Sequence, residues 1–369
     1  MSQIEELIQQ YCPDGVEWKC LGDFCEIKTG KGITKKDCVE YGEFPIISGG
    51  VEPMGYYHTY NREGRTVTIS RVGANAGLVS FIEKRFYLND KCFSVIPSNK
   101  TNTKFLYYIL SSIESSIKGM QSEGGVPTIN TQKVGGIEIP LPPLPVQEEI
   151  AKILDSFSEL QAELQAELQA RRQQYQYYRD KLLSFEGRDD VEWKKLGDVC
   201  EIGTGSHNTQ DGLAEGLYSF YTRGSEVLYL NDYDYDETAI ITAGDGAGVG
   251  KVFHFVQGKY ALHQRAYRIV PDEKKISARY LYYYIGATFY NYIMRSSVSS
   301  SVVSIRKPMM VNYPIPLPPL SVQEEIVATL DRFDALVNDL SQGLPAEIEA
   351  RKQQYEYYRD KLLTFKKKA

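Results

Sequence analysis

The sequence predicts an α+β protein: two β-rich domains related by internal duplication, separated by two long antiparallel helices that form a coiled coil. Three observations support this prediction. A frame of three motifs occurs twice in the 369 residues. In each copy, a long run of residues has apolar side chains at helical spacing. The segments inside each frame contain short strand-like runs punctuated by glycine and asparagine.

The duplicated frame consists of matched segments, and in the first matched pair 12 of 15 positions are identical. The pairs are 16–30 with 191–205, 139–150 with 315–326, and 171–183 with 351–363. Between these segments the two halves hardly agree. A repeated frame that holds two different inserts predicts a protein that reads two different things at a fixed separation.

The segment 146–184 is predicted to form one long helix, because its apolar residues recur in steps of three and four along one face. The proline-rich lead, 139–145, is expected to be extended. This places Glu148 and Glu149 in the first helical turn, where the helix dipole favours carboxylates. A helix of about 38 residues spans about 57 Å, so it overruns a compact domain and its apolar stripe needs a partner.

The second copy supplies that partner. Its helix is predicted at about 322–364, with a capping-box pattern at Ser321 and Glu324 and a break near the Gly-Leu-Pro sequence at 343–345. An antiparallel pair lets the second insert begin and end at one place. The predicted divisions are 1–145 and 186–320 for the globular domains, 146–185 for the central helix and 321–369 for the C-terminal helix.

The two inserts are predicted to contain short strands, such as Thr66–Ser70 and 238–242, and one helix late in each. These helices begin near Lys104 and Arg279. Their many tyrosines are interpreted as packing residues.

Composition narrows the class of protein. The sequence has no apolar run long enough to cross a membrane and no signal peptide at its start, so a cytoplasmic protein without a membrane partner is expected. The six cysteines and four histidines have no metal-binding spacing. Reduced thiols and no metal site are therefore expected.

The net charge of −6 is spread unevenly. The two globular segments are each within one charge of neutrality, and the helical segments hold four of the six net negative charges. Because local basic faces attract phosphates whatever the net charge, the composition neither supports nor excludes nucleic acid.

The sequence contains no recognisable catalytic motif. The glycines of 244–250 fall at every second position and match neither a dinucleotide fingerprint nor a phosphate-binding loop. This segment is predicted to connect two strands. The acids of 271–275 are adjacent in a polar turn and do not form a nuclease site. No serine, histidine and aspartate set can be nominated, so no enzymatic activity is expected of this chain.

Recognition chemistry remains. Arg71 and Asn75 follow a predicted strand, and their side chains suit guanine and adenine edges respectively. In the second half, Asp245 lies in the comparable glycine-rich loop, and His263, Gln264 and Arg265 follow about twenty residues later. Polar loops before each proline-rich lead carry three candidate phosphate-binding residues. They are Lys133, Arg306 and Lys307. The alternative is that these side chains only cap loops or form surface ion pairs.

Taken together, the Pro-Leu-Pro-Pro-Leu lead followed by Gln-Glu, the long helix, the Tyr-Tyr-Arg-Asp-Lys-Leu-Leu close and the glycine-rich loop at 70–77 resemble the specificity subunits of type I restriction–modification systems. The resemblance covers essentially the whole chain. It implies two target-recognition domains that each read one half of a split DNA sequence through the major groove, and a helix pair that acts as a ruler for the unread spacer.

The resemblance also implies partners. Two modification subunits would dock on the helices and domains and bring S-adenosylmethionine, and restriction subunits would add ATP and Mg²⁺; no cofactor is expected in this chain. Ten helix residues are the predicted partner contacts. They are Gln147, Glu148, Tyr175, Tyr178, Arg179, Gln323, Glu324, Tyr355, Tyr358 and Arg359.

Two alternatives stay open at this point. The first is a protein-interaction scaffold with duplicated globular ends, and the second is an enzyme with a convergent site in one insert. A further local feature fits the ruler: 161–170 repeats the unit Gln-Ala-Glu-Leu within the first helix. We hypothesise that the number of these units tunes the spacer.

Overall fold

The computed structural model describes residues 3–122, 125–296 and 304–368. The chain divides into two compact units. Unit 1 comprises Met1–Gln165 and Ile348–Ala369, and unit 2 comprises Ala166–Glu347. Each unit therefore combines one insert with segments of the long helices.

Unit 1 begins with a short amphipathic helix and continues with short strands. In chain order its elements are α1 (Gln3–Tyr11), β1 (Glu17–Cys20), α2 (Leu21–Phe24), β2 (Cys25–Thr29), β3 (Phe44–Ile47), β4 (Tyr56–Tyr57), β5 (Thr66–Ser70), β6 (Val79–Ile82), β7 (Tyr87–Leu88), β8 (Cys92–Pro97), α3 (Thr103–Ser112), α4 (Glu114–Lys118), α5 (Thr131–Gly135) and β9 (Glu138–Leu141). Helix α6 (Leu144–Leu182) follows and continues into unit 2.

Unit 2 repeats this order with longer strands. Its elements are β10 (Glu192–Lys195), α7 (Leu196–Val199), β11 (Cys200–Thr204), β12 (Tyr218–Tyr221), β13 (Val227–Leu230), β14 (Tyr235–Ala243), β15 (Phe253–Leu262), β16 (Ala266–Pro271), α8 (Ala278–Ser296), α9 (Lys307–Val311), β17 (Pro314–Leu317) and α10 (Leu320–Asn338). Helix α11 (Leu344–Leu363) begins in unit 2 and ends in unit 1.

The sheets of the two units share one plan. Unit 1 has an antiparallel sheet ordered β2-β8-β5-β6 and a small sheet ordered β4-β3-β7. Unit 2 merges these into one sheet ordered β11-β16-β14-β15-β12-β13, because β15 is long enough to pair with both β14 and β12. The proline-rich leads form β9 and β17, which pair with β1 and β10 respectively. The predicted α+β class and the duplication are confirmed.

Each unit has its own hydrophobic core, and the long helices contribute to both. Val146, Ile150 and Leu154 of α6 enter the core of unit 1 together with Leu362 of α11. Leu330 of α10 enters the core of unit 2. The first part of the predicted apolar stripe is thus buried inside a globular unit.

The start of each long helix differs from the prediction. Helix α6 begins at Leu144, two residues early, because Pro145 lies in the first turn, where a residue without an N–H is tolerated. Glu148 and Glu149 consequently fall outside the first turn, which holds no acidic residue. The capping box is wrong as well: α10 begins at Leu320, so Ser321 lies inside the helix, and the N-cap residue, Pro319, has no capping side chain.

The predicted break in the second helix is confirmed, since α10 ends at Asn338 and α11 begins at Leu344. Gly343 is required at the turn. A Cβ there would lie 2.5 Å from the carbonyl oxygen of Ala335 and 2.8 Å from that of Asp339. The tight reversal of the backbone leaves no room for a side chain.

Candidate nucleic-acid interface

In unit 2, three of the loops that follow strands meet at one carboxylate. Asp245 lies in the loop between β14 and β15. Its Oδ1 accepts a hydrogen bond from Arg223 Nη1 at 2.8 Å, and its Oδ2 accepts one from Arg265 Nη1 at 3.1 Å. The two arginine side chains are 41% and 62% exposed, whereas that of Asp245 is 22% exposed. A partly covered carboxylate therefore holds two accessible guanidinium groups.

The charges explain the state of this carboxyl group. Burial alone would raise the pKa of Asp245, but hydrogen bonds from Arg223 and Arg265 outweigh burial and hold this pKa below its ordinary value. The group is therefore a carboxylate at neutral pH, and the cluster of two arginines and one aspartate carries a net charge of +1.

His263 lies buried beneath these loops and contacts the backbone of Arg265. Its side chain is only 3% exposed, and its Nδ1 accepts a hydrogen bond from the backbone N–H of Arg265 at 2.9 Å. Burial, followed by the charge of Arg223, lowers the pKa of this imidazole below its ordinary value, which favours the neutral ring that can accept. His263 thus positions Arg265, and its ring does not lie at the surface in this structure.

The remaining candidates of unit 2 lie on neighbouring loops. Gln264 is exposed and its Nε2 donates to Asn208 Oδ1. The backbone N–H of Ile305 donates to the carbonyl oxygen of Gly244 at 2.8 Å, which brings the loop of Arg306 and Lys307 beside that of Asp245. The side chains of Arg306 and Lys307 are both exposed. Within 3–122, 125–296 and 304–368, neither forms an ion pair.

Unit 1 contains the same loop frame. Gly73 and Gly77 have positive φ angles of 100° and 97°, and their counterparts Gly246 and Gly250 have 83° and 66°. The backbone N–H of Ile129 donates to Arg71 O at 2.9 Å, as Ile305 does to Gly244. Arg71 therefore occupies the position of Gly244, and Val72 that of Asp245. The backbone is kept while the side chains differ.

The candidate residues of unit 1 are held within its loops. Arg71 Nη1 donates to the carbonyl oxygen of Asp90 at 3.0 Å, and its guanidinium carbon lies 5.5 Å from the centroid of the Phe93 ring. Asn75 Nδ2 donates to Gly49 O at 3.1 Å. Lys133 Nζ donates to Met120 O at 2.6 Å. Arg71 and Asn75 are half-buried and Lys133 is exposed.

Three residues of this frame were missed by the sequence reasoning. Arg223 lies in the loop after β12, where the two halves differ too much to be aligned. Asn89 is 1% exposed, and its Oδ1 accepts from the backbone N–H of Lys91 at 3.0 Å. Asn89 thus does in unit 1 what His263 does in unit 2. Lys91 is exposed beside these loops.

Two predicted partner contacts on the helices are buried. Gln147 Oε1 accepts from the backbone N–H of Asn102 at 2.8 Å, and its Nε2 donates to Pro142 O at 2.6 Å. In unit 2, Gln323 makes the equivalent pair of bonds, to Ser277 N and Pro318 O, both at 2.8 Å. Both side chains are buried, and their hydrogen bonds tie each helix start to its own unit.

The other predicted helix contacts lie nearer the surface. Glu148 and Glu324 are exposed, and Tyr175 and Tyr355 are half-buried. Burial raises the pKa of Tyr175 to about 12. The remaining four lie in the repeated close of each frame: Tyr178 and Tyr358 are partly exposed, and each adjoining arginine, Arg179 and Arg359, pairs with the next aspartate.

Two exposed aromatic residues of the repeated motif were not nominated. Tyr177 and Tyr357 are the counterparts of each other and are among the most exposed large side chains of the chain. Each packs edge-on against the following tyrosine, with ring centroids 5.4 and 5.3 Å apart. Their position in the sequence could have identified them, since each directly precedes a tyrosine of the apolar stripe.

No helix in the described part of the chain is both long enough and apolar enough to span a membrane.

A family model for the type I restriction modification DNA specificity domain matches residues 13–171 and 188–350. The EcoR124I/EcoR124II specificity subunit of Escherichia coli is 29% identical over 414 residues, covering 100% of this chain and 98% of that protein. A putative type I specificity subunit of Mycoplasma pneumoniae is 31% identical over 85% of this chain and 97% of its own length. The type I S subunit from M. genitalium has a similar fold, with a TM-score of 0.71 at 16% identity over 95% of this chain and 96% of that one. This chain belongs to the family of type I restriction–modification DNA specificity subunits.

Proposed function

We propose that this chain is the non-catalytic DNA-specificity subunit of a type I restriction–modification complex. Each unit reads one half of a bipartite target, and the long helices set the unread gap. One observation carries the proposal: both units present the same loop frame, with equivalent glycines and equivalent backbone hydrogen bonds, yet fill it with different side chains. A duplicated scaffold with different reading residues suits a target whose two halves differ.

The proposal includes partners. Modification subunits, two per chain, would supply methyl transfer from S-adenosylmethionine, and restriction subunits would supply ATP- and Mg²⁺-dependent steps in the cytoplasm. Glu148 and Tyr357 are exposed in unit 1, and their counterparts Glu324 and Tyr177 are exposed in unit 2, which supports two equivalent docking positions.

The test is to map methylated adenines in cells that express this chain with its modification subunit. The expected result is one motif made of two fixed half-sites and a gap of constant length. A continuous motif, or no methylation that depends on this chain, would contradict the proposal. The scaffold alternative predicts no sequence-specific DNA binding by the purified complex. The proposal predicts binding that is specific for the bipartite sequence and that weakens steeply with salt.

A further inference from the structure

We propose that unit 2 reads guanine in its half-site through Arg223 and Arg265, with Asp245 as the positioning residue. This inference rests on the proposed function and deepens it, because it names the base that one unit selects. The three residues come from three separate loops, which follow β12, β14 and β15. Only the fold brings them together.

The hydrogen bonds leave both arginines able to grip a base. Each guanidinium gives one terminal nitrogen, Nη1, to Asp245. Among the described residues, its Nε and Nη2 donate to no protein atom. An arginine has five N–H donors in a rigid plane. The donors that remain form the fork that matches the O6 and N7 acceptors of guanine in the major groove.

The cluster is also held in place before any ligand arrives. The backbone of Arg265 is fixed on both sides, since its N–H donates to His263 Nδ1 at 2.9 Å and its carbonyl oxygen accepts from Gly244 N–H at 2.8 Å. Arg223 and Arg265 both line a concave surface with Thr209 beside them. Fixed donors lose little conformational entropy on binding.

The carboxylate of Asp245 favours a base over a phosphate as the ligand of this cluster. A phosphate that approached either arginine would also approach Asp245, whose repulsion offsets part of the attraction to the two guanidinium groups. A guanine edge is neutral and brings no such cost. Arg306 and Lys307, which are exposed and have no described acidic partner, suit phosphates better. The two kinds of contact are thus divided between the Asp245 cluster and the neighbouring loop.

The experiment compares the methylation motifs of four variants of the full complex in cells. The variants are Arg223→Lys, Arg265→Lys, Asp245→Asn and the control Arg188→Lys. Lysine keeps the charge that a phosphate needs but loses the fork that guanine needs. Arg188 forms an exposed ion pair with Asp190 on the segment after α6 and serves as a matched arginine–aspartate pair outside the cluster.

The expected result has three parts. The wild-type complex methylates a bipartite motif with a fixed G in one half-site. In each cluster variant, the preference for guanine over the other bases at one position of that half-site falls about 5- to 150-fold. The other half-site and the Arg188→Lys motif stay unchanged. Because discrimination is a ratio between sequences, it does not depend on how much complex folds.

Other outcomes overturn the inference. If the lysine variants keep the wild-type motif, or lose methylation equally at all sequences, the arginines hold phosphate or serve only structure. A motif without a fixed G in the affected half-site also overturns it. Each of these results leaves the proposed function standing. Absence of any bipartite motif in the wild type would instead remove the proposed function itself.

Discussion

The ring of Phe157 stacks on that of Tyr358, with centroids 5.5 Å apart and planes inclined by 24°. Unit 2 repeats the contact between Phe333 and Tyr178, at 5.5 Å and 22°. In each case a phenylalanine of one long helix packs on a tyrosine of the repeated motif. The two contacts join counterpart residues of the duplicated frame, one within each unit.

Replacing Phe157 by alanine should lower the free energy of unfolding by about 1–3 kcal/mol, because the change removes a half-buried ring and its stacking partner's contact. Urea denaturation measures this loss. Tyr357→Ala is the control, since Tyr357 belongs to the same motif but is 63% exposed. Its effect should stay within about 0.5 kcal/mol. Equal losses for the two variants would mean that the stacked pair of Phe157 and Tyr358 adds no measurable free energy of unfolding.

Replacing Gln147 by leucine should destabilise unit 1 by about 2–4 kcal/mol. The change leaves the half-buried N–H of Asn102 and the buried carbonyl of Pro142 without their hydrogen-bond partner, and each unsatisfied group costs about 1–3 kcal/mol. Thermal or urea unfolding of the chain measures the loss. Glu148→Gln, one residue further along the helix and exposed, is the control. A Gln147→Leu protein as stable as the control would show that the amide is dispensable.

The sequence predicted the helices well because their signal is local. Apolar spacing indicated α6, and the Gly-Leu-Pro sequence indicated the break before α11, where Gly343 allows no side chain. The helix starts were less accurate, since a proline is tolerated in a first turn and a serine with the capping pattern can lie within a helix. Periodicity also placed Gln147 and Gln323 on the helices without revealing their buried hydrogen bonds to distant loops.

The loops were predicted in part. Asp245 and Arg265 were nominated separately, and the structure joins them through one carboxylate. Arg223 completes the cluster but lies 22 residues before Asp245, and no sequence pattern connects residues that meet only through the order of strands in a sheet. His263 was nominated for its chemistry. Its burial depends on the packing of β12 and β15, which a single sequence does not give.

Substituting His263 by asparagine should make the stability of the loop that contains Arg265 independent of pH. The neutral ring accepts the Arg265 N–H, and the pKa of His263 is lowered by burial and by Arg223. Its contribution to stability is therefore complete above the unfolded-state pKa of about 6.5 and declines as pH falls from there toward the folded-state pKa. Asparagine is the residue that unit 1 uses at this place, as Asn89.

Hydrogen exchange of the Arg265 amide, corrected for its intrinsic rate, measures this effect between about pH 5 and pH 7.5. In the wild type, protection of this amide should decrease as the pH is lowered. In His263→Asn it should stay constant. His58→Asn is the control, because His58 is an exposed residue of unit 1, and it should keep the wild-type slope. A wild-type profile without slope would mean that protonation of His263 does not open the loop.

Deleting residues 162–165 should narrow the gap between the methylated half-sites. The deletion removes one four-residue repeat, Ala-Glu-Leu-Gln, from within α6, which shortens the helix by about 6 Å and turns it by about 40° beyond a full turn. One base pair adds about 3.4 Å along DNA, so the gap should shorten by one or two base pairs while both half-sites keep their bases. Glu163→Gln, which preserves helix length, should leave the gap unchanged. Methylation mapping reads both quantities together, and a constant gap after the deletion would separate the length of α6 from the spacing of the target.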